Sequence, residues 1–233
     1  MLSEYVAEVQ DLLNDEGAQL HRIPTLKRYI NRSRRRIASI SGCIRHCPEG
    51  ARTHPGQEQY PFAHWQSLCQ DQVPGTDQIL FCRTLSVSIG FGPGAWTPMW
   101  RFIPFMDFQA RVRVYNRTFL GTISEPGWWT MFGSGPKTVI YLAPIPMQEA
   151  PIIADLSLLP MSMKDDDDPE PIPFPWTDVV VFWAATMALL QQQRKEDAAA
   201  LTTLFSQLMP ECASVVAPFM FQSPYAGGIK RSA

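Results

Sequence analysis

Residues 24–44, PTLKRYINRSRRRIASISGCI, decide the architecture. Pro24 stands in the favoured first-turn position, and Leu26, Tyr29, Ile30, Ile37, Ile40 and Ile44 recur at helical spacing, which predicts an amphipathic helix. The other face is expected to hold Lys27, Arg28, Arg32, Arg34, Arg35 and Arg36, six cations within ten residues. Such a run repels itself and needs anions or water around it. A solvated face meets that need. So does contact with an acidic neighbour or with a phosphate backbone, and both of those would be salt-dependent.

Toward the N-terminus, Tyr5, Val6, Val9, Leu12 and Leu13 form one stripe that Asn14, Asp15 and Gly17 break, so residues 1–48 read as a helix pair. Toward the C-terminus, Pro48, Gly50, Pro55 and Gly56 end helical order. Residues 49–163 then read as a β-rich lobe, with strands expected over 79–82, 85–89, 99–105, 128–132, 139–142 and 152–158 and Gly/Pro clusters between them. Asp107 to Tyr115 fits a helix through Phe108, Val112 and Tyr115 or a strand through alternation, and both readings stay open. Residues 164–176, with four consecutive aspartates and then Pro169, Pro171, Pro173 and Pro175, read as a charged, stiff linker.

Thr177 is expected to cap a third helix over 178–193, and a fourth is expected over 197–209, ended by Pro210. This gives a C-terminal helix pair at 177–210 and an extended tail at 211–233. Phe219, Met220, Phe221 and Tyr225 are too apolar for a solvated terminus, so the tail either folds back on its own core or docks on a partner. The expected fold class is α+β: an antiparallel four-helix body, two N-terminal and two C-terminal helices, with an inserted β-rich lobe and an extended C-terminal tail.

Composition excludes several function classes. A chain of 233 residues that is 45% hydrophobic buries a real core rather than staying disordered. Charged residues are 18% of it, below the roughly 25% usual in globular proteins, which suggests surface reserved for partners. A formal net charge of −2 argues against whole-surface attraction to DNA or anionic lipid. Five cysteines in no framework spacing suggest reduced thiols, and neither an export signal nor a membrane span is apparent.

Motifs that would carry chemistry have plainer readings. Cys43, His46, Cys47, His54 and His64 supply zinc-type ligands without a finger's spacing, and Cys43 and Cys47 sit one helical turn apart as small buried thiols would. Gly133-Ser134-Gly135 falls between two predicted strands and reads as a hairpin turn, not a nucleophile elbow. Gly90 to Gly94 lacks the following helix that a phosphate loop needs, and Pro93 removes a donor. No catalytic residue, metal or cofactor is expected.

Leu12-Leu13-Asn14-Asp15 ahead of Leu26-Lys27-Arg28-Tyr29-Ile30-Asn31 and Arg35-Arg36-Ile37-Ala38 resembles the N-terminal pattern of tailed-bacteriophage head-to-tail adaptor (connector) proteins. The similarity resumes at Lys137 to Leu142, Ala143-Pro144-Ile145-Pro146 and the helix with Ala184-Ala185. It covers roughly residues 1–45 and 137–209 and rests on the order of the segments. It implies a structural virion protein of the neck, assembled in the host cytoplasm: a homo-oligomeric ring, usually of twelve copies, below the portal protein and above the tail tube or nozzle protein. The packaged DNA would pass close by, and no membrane would be involved. The resemblance also implies that the tail inserts into the portal, with Phe219, Met220, Phe221 and Tyr225 as anchors, and that the basic face of 27–36 meets a neighbouring subunit or the channel. Alternatives are another neck protein (a head-completion stopper or tail terminator), or a DNA-binding module built on the Arg-rich helix.

Overall fold

The computed structural model describes residues 1–15, 20–87, 101–112 and 126–216, and it is of mixed α+β class. Backbone contacts divide the chain into two compact units. Of the described residues, one holds those of Ser3–Ser33 together with Phe174 to Val216, and the other holds those of Arg34–Pro173 with the first two residues.

The first unit is helical. In α1 (Leu2–Leu13), Tyr5, Val6, Val9 and Leu13 are buried at helical spacing, while Leu12 remains 37% exposed. Asn14 takes a left-handed φ of 52°, and the buried Asp15 carboxylate accepts backbone N–H bonds from Leu20 (3.1 Å) and His21 (2.9 Å). These bonds lead the chain into α2 (Ile23–Ser41). In this unit α2 buries Leu26, Ile30 and Ser33, and the Ser33 hydroxyl donates to the Val180 carbonyl of α5 (Trp176–Gln191) at 2.7 Å.

Buried alanines at 184, 185 and 188 suit α5 to close helix packing. Gln193, at φ 62°, lies in the turn into α6 (Lys195–Val216). Trp183 meets Phe205 at 4.9 Å between ring centroids, and the Cys212 thiol approaches the Pro175 carbonyl at 3.6 Å, so the two helices run antiparallel.

Two expected boundaries are corrected in this unit. The residue preceding α5 is Pro175, with no side-chain cap, and Thr177 instead bonds Asp178 inside the first turn. Pro210 does not end α6, which continues to Val216: proline forfeits one backbone hydrogen bond, but the neighbouring turns persist.

The second unit holds both sheets. The α2 helix ends at Ser41, short of the Ile44 that the helical spacing included, because Gly42 adopts φ 58° and its N–H closes on the Ala38 carbonyl at 2.9 Å. One sheet has the order β1 (Arg45–His46), β7 (Ile152–Pro160), β3 (Thr76–Val87), with both pairings antiparallel. The strands expected over 79–82 and 85–89 are one strand as far as Val87, irregular in register at Ile79/Phe81 and Cys82/Thr84. The rest of the second expectation, like the glycine loop at 90–94, lies outside the described residues.

The other sheet is ordered β2 (Gln59–Pro61), β6 (Val139–Ala143), β5 (Trp128–Phe132), β4 (Arg101–Phe102), with β4 parallel to β5 and the other pairs antiparallel. The turn at Gly133–Gly135 joins β5 to its antiparallel partner β6. A helix not anticipated, α3 (Phe62–Gln72), buries Phe62, Trp65 and Cys69 at i, i+3 and i+7. Phe105–Asp107 forms the short α4, and Phe108–Val112 continues as π-helix, so helical geometry holds over the described part of 107–115.

Candidate functional site

The predicted basic face is not one surface. Leu26, Ile30, Ser33, Ile37 and Ala38 mark the buried stripe of α2, and Arg34 falls on it, four residues after Ile30 and three before Ile37. Its side chain is 1% exposed, and so is corrected from an outward cation to a core one. Arg34 Nε and Nη2 donate to the two Glu170 carboxylate oxygens at 2.7 and 2.9 Å, and Nη1 donates to the Met161 carbonyl at 2.7 Å. Glu170, itself 2% exposed, also accepts from the Ile172 N–H at 3.0 Å. The pair is bidentate and desolvated, a geometry that arginine's planar fork provides and lysine cannot.

The signal was legible: the stripe's own spacing assigns position 34 to the apolar side. Its partner carboxylate lies 136 residues away, and spacing carries no information on that. Arg35 stays exposed and forms a surface ion pair with Asp77 and a 3.4 Å bond to the Pro160 carbonyl. Arg28, Arg32 and Arg36 remain exposed, and Lys27 is half-buried. Arg28 lies over the Tyr29 ring, 5.6 Å from its centroid. Tyr29 is half-buried, and Ile40, expected in the core, is 51% exposed.

Glu170 changes the reading of residues 164–176 as a free linker. Met163, Ile172 and Trp176 are buried. The Met161 N–H donates to the Gly75 carbonyl at 2.7 Å. Asp168 accepts the Lys164 N–H at 2.6 Å and the Asp165 N–H at 3.0 Å. These backbone N–H bonds, from Asp165 first and then Lys164, hold the Asp168 carboxyl below the usual carboxylate range. Asp165, Asp166 and Asp167 stay exposed.

Two further arginines serve the fold. Arg83 Nε donates to Ser157 Oγ at 3.0 Å, and its Nη2 reaches the Ser41 and Gly42 carbonyls at 3.4 and 3.3 Å, a cation at the C-terminal end of α2. Burial and then the charge of Arg45 push the Arg83 guanidinium down from its ordinary pKa. Arg45 is itself paired with Asp155 on the neighbouring strand.

The candidate zinc ligands separate. Because α2 ends before them, Cys43 and Cys47 do not share a helix edge: Cys43 is buried and Cys47 exposed. His46 bonds Gln72 at 2.7 Å. Among the described residues no three His, Cys, Asp or Glu side chains are grouped to hold an ion. All five cysteines are free thiols, and burial pushes Cys43 and Cys69 up to about 11.

Two surfaces that the sequence reading missed now stand out. One is aromatic, on the β4–β5–β6 sheet: Phe105 stacks on Phe132 at 4.3 Å and Phe102 meets Trp129 edge-on at 5.0 Å, with Phe102, Met106 and Phe132 exposed. The other is a groove of about 350 Å³ between α1 and α5, lined by Glu8, Asp11, Leu12, Asp178, Val181 and Phe182. Burial first, then the negative charges of Asp178, Glu4 and Asp11, raises the Glu8 carboxyl above its ordinary pKa. The four expected portal anchors, Phe219, Met220, Phe221 and Tyr225, lie outside the described residues.

The chain matches no known protein-family model and no curated protein sequence. Among the described residues, no helix is long and apolar enough to cross a membrane.

Proposed function

We propose that this chain is a structural, non-catalytic virion protein of the adaptor kind, forming a ring that joins a portal vertex to a tail tube or nozzle and continues the DNA channel. One observation carries the reading. The helices at the two ends of the chain, α1 from Ser3, α2 as far as Ser33, α5 and α6, belong to a single compact unit, and Arg34–Pro173, with the last part of α2, forms another together with Met1 and Leu2. That is the organisation expected of a helical body interrupted by an inserted lobe, with its first and last helices brought together. The Ser33–Val180 bond, the α1–α5 groove and the α5–α6 hairpin are the pairings an antiparallel four-helix body would use.

A nucleic-acid module built on α2 is less well supported, since Arg34 is buried against Glu170 and Arg35 is paired with Asp77 at the surface. On the favoured reading the tail beyond Val216 docks on the portal through Phe219, Met220, Phe221 and Tyr225, offsetting its ordering entropy by burying aromatic area. The test is electron microscopy of the full chain mixed with the portal ring of its own phage, beside a copy ending at Val216. The expected result is an extra symmetric layer with the full chain only. Absence of a layer with either copy would move the protein to a tail-side role such as terminator.

A further inference from the structure

We propose that the α1–α5 groove receives the Arg28–Arg32 face of α2 from a second copy of this chain, so that copies join head to tail. Val181 and Phe182 give the groove an apolar floor and Leu12 an apolar edge, while Glu8, Asp11 and Asp178 supply carboxylates around it. Among the described residues these three carboxylates form no ion pair with any cation of their own chain. Arg28 and Arg32 are likewise exposed and form no ion pair among the described residues. They stand four residues apart, about 6 Å along the axis, and Glu8 and Asp11 three apart, about 4.5 Å, so each pair lines one face of its helix at roughly one turn. The guanidinium forks can bond carboxylates while the arginine stems cover the apolar floor.

Groove and face belong to the same helical unit and share no residue. Each copy therefore carries one of each, and the contact is heterologous: repeated, it closes into a ring or continues as a filament. The inference rests on the ring-forming reading above and names the surfaces that would join neighbours.

Charge reversal tests it. The groove variant E8K/D11K/D178K and the face variant R28E/R32E are first shown to be folded by circular dichroism. The neutralised forms E8Q/D11N/D178N and R28Q/R32Q stand in for any that is not. Assembly of the full chain is read by sedimentation velocity at low and high salt, and as a layer on the portal ring. Wild type is expected to assemble, less at high salt. Each reversal variant alone is expected to lose assembly, because its own groove and face then carry like charges.

An equimolar mixture of the two reversal variants is expected to regain assembly, since each reversed groove fits the other's reversed face. The chain carrying all five reversals should regain it alone. Neutralised forms should weaken assembly and its salt dependence. Reversal variants that assemble as well as wild type, or a mixture that stays monomeric, would overturn the groove assignment while leaving the ring reading intact. A wild-type chain that stays monomeric in solution and adds no layer to the portal would overturn both.

Discussion

Arg34 shows how much one side chain contributes here. Its pair with Glu170 ties α2 to a segment that composition alone describes as a solvated connector, and both groups are almost fully desolvated. Removing one partner leaves the other charge buried without compensation, which costs about 3–5 kcal/mol. Glu170→Ala should therefore lower unfolding free energy by that amount in urea titrations, while Arg34→Met combined with Glu170→Leu should lose much less. Additive losses in that cycle would mean the two side chains act independently. Gly75 holds the same segment from the other side: it adopts φ 84°, and a Cβ there would stand 2.5 Å from the Pro169 carbonyl oxygen, which is backbone and cannot swing aside. At Gly42 the nearest atom is the Arg83 Nη2, the end of a flexible side chain. Gly42→Ala should cost the left-handed backbone penalty of about 1–2 kcal/mol together with part of the Arg83 bonds to Ser157, Ser41 and Gly42. Gly75→Ala should cost clearly more, and equal losses in thermal melts would count against the close approach.

At the level of elements, periodic segments were legible and exceptions were not. Strands β5 and β6 and the antiparallel helices α5 and α6 follow from alternation and helical spacing, because those patterns record which face is buried. Helix α3 was missed although Phe62, Trp65 and Cys69 mark it, since its eleven residues are short and polar between the buried positions. Arg34 is an exception of another kind: its charge points to solvent, while its position, four after Ile30 and three before Ile37, places it on the buried stripe. The α1–α5 groove could not be read at all, because it depends on which helices become neighbours.

Pro210 is the instructive boundary. Inside α6 it lacks the N–H that would bond the Ser206 carbonyl, so Pro210→Ala should raise stability by up to about 3 kcal/mol without changing helix content in far-ultraviolet circular dichroism. A gain in helix content would place the natural helix end at Met209. Glu8 gives α1 a pH signature. Its raised pKa means that the folded state holds this proton more tightly than the unfolded chain does. The stabilisation linked to that proton is complete below the unfolded pKa and is lost as pH rises through the folded one. Glu8→Gln should thus melt with wild type near pH 3 and above it near pH 7, the gap opening over the carboxylate range. A gap that is constant with pH would remove the electrostatic explanation.

For the whole molecule, the decisive contrast concerns the chain beyond Val216. If Phe219 and Phe221 filled the protein's own core, each would contribute about 1.5–3 kcal/mol on burial. A chain of this size loses about 2–4 °C of Tm per kcal/mol, so ending it at Val216 would lower the melting temperature by more than about 6 °C. If those side chains instead bury against a portal, the shortened chain should melt with the full one and lose only portal binding. The docking reading therefore predicts equal melting temperatures and unequal binding, measured on the same two proteins. The reverse pattern, a lowered melting temperature with binding retained, would place the aromatic tail in the protein's own core and leave the portal to be met by another surface.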